Sequence, residues 1–110
     1  MSFFTWQLGR QNNYGREYYK MCLLSFKRVD IWLLKYPKDT GLVEHTDPVE
    51  SGYNHHRMNF ILRGKAAFKC KEAYINKNWM TYFRPDIMKH SVDVVPYERL
   101  VLSFGWLTKT

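Results

Sequence analysis

The chain has 110 residues, 45% of them hydrophobic, 17% aromatic and 25% charged, with a formal net charge of +7. That length suits one domain with one core, and that composition excludes disorder and collagen-like repetition. The longest apolar runs are three or four residues, as at Ile31 to Leu34, far short of the roughly 20 that a membrane-spanning helix needs.

Met1 to Trp6 lack the basic-then-apolar layout of a signal peptide. Residues 1–16 carry Gly9, Gly15 and Gln11-Asn12-Asn13 and predict an irregular N-terminal segment. Glu17 to Phe26 fits two periods. Tyr19, Leu23 and Phe26 have helical spacing, while Tyr18, Lys20, Cys22, Leu24 and Phe26 alternate as in a strand, which is the assignment taken. Val29 to Tyr36 is β-branched, aromatic and closed by Pro37, so it predicts a strand. Asp39-Thr40-Gly41 predicts a turn, Leu42 to Asp47 a short strand, and Pro48 to Asn54 a loop. Further strands are predicted at His56 to Leu62, Ala66 to Lys71, Trp79 to Phe83, Lys89 to Val94 and Tyr97 to Trp106. Many short strands, turns every 8 to 12 residues and no clear helix predict an all-β domain spanning residues 1–110, a sandwich or double-sheet barrel.

The two cysteines, Cys22 and Cys70, lie far apart with no CxxC spacing. Buried free thiols suit a reducing compartment, so a cytoplasmic location is expected; a single disulfide stays open. The positive charge and the aromatic excess raise nucleic-acid binding as one reading, and attraction of small anions as another.

Chemistry concentrates at His45, Asp47, His90 and Arg99. On a strand, residues i and i+2 share a face, so an imidazole and a carboxylate at His45 and Asp47 can meet one ion. His90 could add a second imidazole, completing the two-histidine, one-carboxylate set typical of non-haem Fe(II) sites with open positions. Protonation of the imidazoles would compete with the metal. Arg99 lies nine residues after His90, beyond the Pro96 turn. If those two strands were adjacent and antiparallel, both side chains would enter one cavity, where a guanidinium can grip a carboxylate.

From residue 29 to about 107 the chain resembles the 2-oxoglutarate and Fe(II)-dependent oxygenases. The stretch Tyr36-Pro37 through Gly41 to His45-Thr46-Asp47 is similar to the prolyl hydroxylase pattern. Arg57-Met58-Asn59 before an apolar strand is more like the aspartyl/asparaginyl β-hydroxylase branch, which usually lacks the metal carboxylate. The resemblance implies a double-stranded β-helix, or jelly roll, of cupin-like type with little or no helix. It implies His45, Asp47 and His90 as iron ligands and catalytic centre, and Arg99 as the partner of the far carboxylate of 2-oxoglutarate. Tyr36 and Arg57 match positions that help hold the co-substrate in one branch or the other. Some members carry a serine two residues after the arginine, where this chain has Val101.

With these groups charges balance: iron and one carboxylate leave +1, 2-oxoglutarate brings −2, and Arg99 restores neutrality. The activity implied is a dioxygenase that uses Fe(II), 2-oxoglutarate and dioxygen to hydroxylate an unactivated C–H of a protein or peptide side chain. The alternatives are a non-catalytic or partner-dependent β-helix module with a basic surface for nucleic acid, and a cupin-like metal enzyme of other chemistry. His55 and His56 would face opposite ways on a strand; solvent-facing loop residues and substrate contacts at the cavity mouth are the two readings. On the last strand, Leu100, Leu102, Phe104 and Trp106 share the face opposite Arg99 and need a cover. Either Phe3, Phe4 and Trp6 fold over them or a second copy of the chain does, as a homodimer. No membrane partner is expected.

Overall fold

The computed structural model describes residues 3–9, 13–15, 18–65 and 67–110. Among them the chain is all-β: β1 (Trp6–Leu8), β2 (Asn13–Gly15), β3 (Tyr19–Phe26), β4 (Val29–Tyr36), β5 (Thr40–His45), β6 (Tyr53–Arg63), β7 (Phe68–Lys69), β8 (Ile75–Asn76), β9 (Met80–Phe83), β10 (His90–Val95) and β11 (Arg99–Lys109). No helix among them is long and apolar enough to cross a membrane.

The strands form two sheets. The larger runs β1-β3-β4-β11-β6-β9-β8 and the smaller β2-β5-β10-β7, with antiparallel pairing throughout both. This is the double-stranded β-helix expected from the sequence. Its centre is β11, paired with β4 on one side and β6 on the other. The period-2 alternation of β11 divides it cleanly. Arg99, Val101, Ser103 and Gly105 are buried, while Leu100, Leu102, Phe104 and Trp106 are half-buried on the outer face. Between the sheets lies a core of Tyr18, Tyr36, Leu42, Ala67, Val92 and Val101, with a second cluster at Cys70, Phe83 and Met88. Full burial of one such aliphatic or aromatic side chain stabilises by about 1.5–3 kcal/mol, so these clusters hold the two sheets at the spacing the cavity needs. Cys22 and Cys70 are buried free thiols.

Several sequence expectations are revised. Strands β1 and β2 lie within the segment 1–16 predicted to be irregular. Too few residues alternate there to leave a pattern, and both strands form because a sheet edge supplies hydrogen-bond partners. Thr40 and Gly41 belong to β5, and the reversal falls on Asp39, in the left-handed region at φ 64°. Tyr53 and Asn54, predicted as loop, begin β6. Phe3 and Phe4 do not cover the outer face: they stay 46% and 68% exposed, and Trp6 extends the sheet edge beside Met21. Gln11, Asn12, Glu17 and Ala66, which entered the predicted elements, lie outside the described residues.

Candidate metal centre and its cavity

The smaller sheet brings the metal candidates together. His45 ends β5, His90 begins β10, and the two are register partners. Asp47 lies two residues past the end of β5, where its N–H donates to the Pro85 carbonyl at 2.7 Å. One ligand atom from each of His45, Asp47 and His90 falls within 4.8 Å of the others.

The imidazoles are aimed by the main chain. His45 Nδ1 lies 2.7 Å from the Val43 carbonyl and His90 Nδ1 lies 2.9 Å from the Met88 carbonyl. A carbonyl only accepts, so each Nδ1 carries a hydrogen and Nε2 is the nitrogen left to face a ligand. Those Nε2 atoms face Asp47: His90 Nε2 at 3.1 Å from Oδ2, His45 Nε2 at 3.7 Å from Oδ1. Two imidazole nitrogens and a carboxylate thus converge on one point, an arrangement suited to a bound cation. A carbonyl behind each ring is also the usual support of a metal-ligating histidine. The donor set therefore fits a divalent metal that accepts nitrogen and carboxylate oxygen.

A cavity of about 300 Å³ opens over this triad. The larger sheet supplies its opposite wall, including Trp32 and Tyr36 of β4, His55, Arg57 and Asn59 of β6, and Ser103 of β11. Lys20 of β3 also lines it, with its ammonium 5.1 Å from the Trp32 ring centre.

Arg57 is engaged through both of its terminal nitrogens. It donates to Asp30 Oδ1 at 2.5 Å and to Ser103 Oγ at 2.7 Å, and its Nη2 lies 3.3 Å from His55 Nε2. Gly105 makes the room. A Cβ there would fall 2.0 Å from Arg57 Nη2 and 2.9 Å from Asp30 Oδ1. His55 lines the cavity, and its pKa is lowered by burial and by the Arg57 charge. His56 does not line it. On the outer face, its ring stacks on Trp106 at 5.4 Å and contacts Tyr82 Oη and Thr108 Oγ1, each at 3.0 Å.

Arg99 sits deeper. His90 and Arg99 are not on adjacent strands: β10 belongs to the smaller sheet and β11 to the larger, because the Pro96 segment carries the chain across. Arg99 lines a separate chamber of about 20 Å³. Tyr36, Asn59, Phe68 and Val92 line both spaces and form the wall between them. The Arg99 side chain is 1% exposed, donates through Nε to the Lys65 carbonyl at 2.9 Å, and lies 5.2 Å from the Tyr36 ring centre. Its Nη1 has no partner among the described residues. Burial works against its charge and lowers its pKa. Gly64, at φ 87°, makes the tight turn beside it; a Cβ there would lie 3.0 Å from Arg99 Cγ. Tyr36 is stacked on Tyr18, and burial pushes its hydroxyl pKa well up, so it stays a neutral donor.

Three contributors, two of them polar, escaped the sequence reading. Asp30 and Gly105 each left a signal, a lone acid on a hydrophobic strand and a lone glycine within one, both marks of a specific inward partner. Asn59 left only its place in the alternation of β6.

No known family profile matches the sequence, and no curated protein matches it. Solved structures do share its fold. A predicted oxalate decarboxylase from Thermotoga maritima superposes with a TM-score of 0.72 at 17% identity, covering 94% of this chain and 93% of that one. A cupin 2 conserved barrel domain protein from Rhodopseudomonas palustris gives 0.68 at 9% identity over 96% of this chain and 73% of that one. A cupin-like protein, also from Thermotoga maritima, gives 0.63 at 11% identity over 100% and 89%. These likenesses establish the cupin-type jelly roll as the fold of the chain.

Proposed function

We propose that the protein is a 2-oxoglutarate- and Fe(II)-dependent dioxygenase that hydroxylates an unactivated C–H, with a protein or peptide side chain as substrate. The observation that carries this reading is the convergence of His45, Asp47 and His90, with both imidazoles turned by main-chain carbonyls so that their Nε2 atoms meet the carboxylate. These three residues would hold the iron, which when bound supplies the activation of dioxygen. The overall change is balanced: one oxygen atom enters the C–H bond, the other enters succinate, and carbon dioxide leaves from 2-oxoglutarate.

The protein's own part is binding and orientation. Arg57 lines the triad's cavity and Arg99 the small chamber, and their partners distinguish them. Asp30 already neutralises Arg57, whereas Arg99 has no carboxylate partner among the described residues. A buried cation without a counter-charge is costly, and a carboxylate entering the chamber would offset that cost. Arg99, with the neutral Tyr36 hydroxyl on the same wall, is therefore the better anchor for the far end of a dianion. Trp32, Tyr36 and Phe83 give the cavity around the triad aromatic walls.

The test is anaerobic addition of Fe(II) and then 2-oxoglutarate, watching for the visible charge-transfer absorption of the chelate. The band is expected in the wild type and lost in Asp47→Ala. Iron binding without the band would contradict the reading and favour a second one, a cupin-type metal enzyme that does not use 2-oxoglutarate. The observation behind that second reading is that Arg99 lines the small chamber and not the triad's cavity.

A further inference from the structure

The hydrogen bonds linking Asp30 to Asn59 run outward from Arg57, which donates to Asp30 on one side and to Ser103 on the other. A guanidinium only donates, so Ser103 Oγ accepts from Arg57 Nη1 and spends its own hydrogen on Asn59 Oδ1, 2.6 Å away. The Asn59 carboxamide thus presents its oxygen to Ser103 and turns its NH2 group away. That group has no hydrogen-bond partner among the described residues. Asn59 belongs to the wall shared by the triad's cavity and the Arg99 chamber.

Resting on the dioxygenase reading, we infer that Asn59 donates through Nδ2 to the distal carboxylate of the co-substrate beside Arg99, and that Arg57 is a positioning residue that fixes this orientation. Asp30 holds Arg57, Arg57 sets the Ser103 hydroxyl, and Ser103 sets the amide. Were the carboxamide reversed, it would put an acceptor where the carboxylate arrives. Gly105 belongs to the same device, because only a residue without Cβ lets Arg57 lie against β11.

The experiment is calorimetric titration of the Mn(II)-loaded protein with two probes, 2-oxoglutarate and 2-oxovalerate, which share the 2-oxo acid head but not the distal carboxylate. In the wild type 2-oxoglutarate should bind far more tightly. Asn59→Asp and Asn59→Leu should weaken 2-oxoglutarate about tenfold or more, the loss expected for a charge-assisted hydrogen bond, and leave 2-oxovalerate within about twofold. Ser103→Ala, which leaves Asn59 in place, should show the same selective loss at several-fold, and Ser103→Thr should restore binding. A Mn(II) titration of each variant checks that its fold and metal site persist. If the wild type prefers 2-oxoglutarate but the Asn59 and Ser103 variants bind it unchanged, or lose both probes equally, the inference fails alone. If the metal-loaded wild type does not distinguish the two acids, the dioxygenase reading fails and takes the inference with it.

Discussion

On the small-sheet wall of the cavity, His45 and His90 are each aimed by a main-chain carbonyl, and Asp47 is tethered through its own N–H. On the large-sheet wall, Arg57, Ser103 and Asn59 aim one another through side chains alone. The contrast bears on how each wall fails. Main-chain support survives substitution of neighbours, so the metal wall should be lost only by removing a ligand. Side-chain support passes each loss along the chain, so the other wall should be sensitive at positions that touch no ligand.

The strongest test of that contrast is ligand removal. Asp47→Ala or His90→Ala should cut Mn(II) or Fe(II) affinity by about 100-fold or more, while Val43→Ala, which keeps the carbonyl behind His45, should bind within about twofold. Equal losses, read by metal titration, would break the main-chain account. Next comes Arg99→Leu. It should reduce 2-oxoglutarate affinity by about 100-fold without lowering the thermal midpoint, because it removes a buried charge that has no counter-ion among the described residues. A large fall in the midpoint would mean that Arg99 is structural.

Gly105→Ala sharpens the other wall. The added methyl displaces Arg57 and should destabilise by about 1–3 kcal/mol, lowering the melting temperature by several degrees while sparing metal binding. The smallest effect concerns acid. Burial alone would raise the Asp86 pKa, but hydrogen bonds from the Arg84 guanidinium and the His55 N–H outweigh it, so the carboxyl titrates below its usual range. A lowered folded-state value stabilises above the unfolded value of about 3.9 and loses that contribution as pH falls through the folded one. The difference in melting temperature between wild type and Asp86→Asn should therefore be present at neutral pH and shrink below about pH 4. A constant gap in thermal scans across that range would remove Asp86 from the account.

Much of the fold was legible because its central strands are long enough to show a period. Val29 to Tyr36 is predicted and observed with the same bounds, and the alternation of Arg99 through Trp106 gives both faces of β11. The short strands at 6–8, 13–15 and 75–76 were not legible, since two or three residues carry no period and pair only because an edge is present. At the site, the spacing of His45 and Asp47 pointed to one face of a strand; the structure does bring them together, but β5 ends at His45 and Asp47 lies in the segment beyond it. Their distance from Arg99 could not be read, because it depends on which sheet each strand joins. The engagement of Arg57 was hidden for the same reason: Asp30, Ser103 and Gly105 come from two other strands, and only the register of β4, β11 and β6 brings them to one place.

The chain's four tryptophans are not equivalent. Trp6 and Trp79 are exposed and Trp106 stacks on the outer face, but Trp32 lines the cavity across from the triad, with the Lys20 ammonium over its ring. Its indole emission is therefore coupled to whatever enters the cavity. A paramagnetic ion at the triad would quench it, and a ligand that displaced Lys20 would shift its colour. The protein thus carries an optical reporter of occupancy in its own wall, with the emission of the other three as an internal reference.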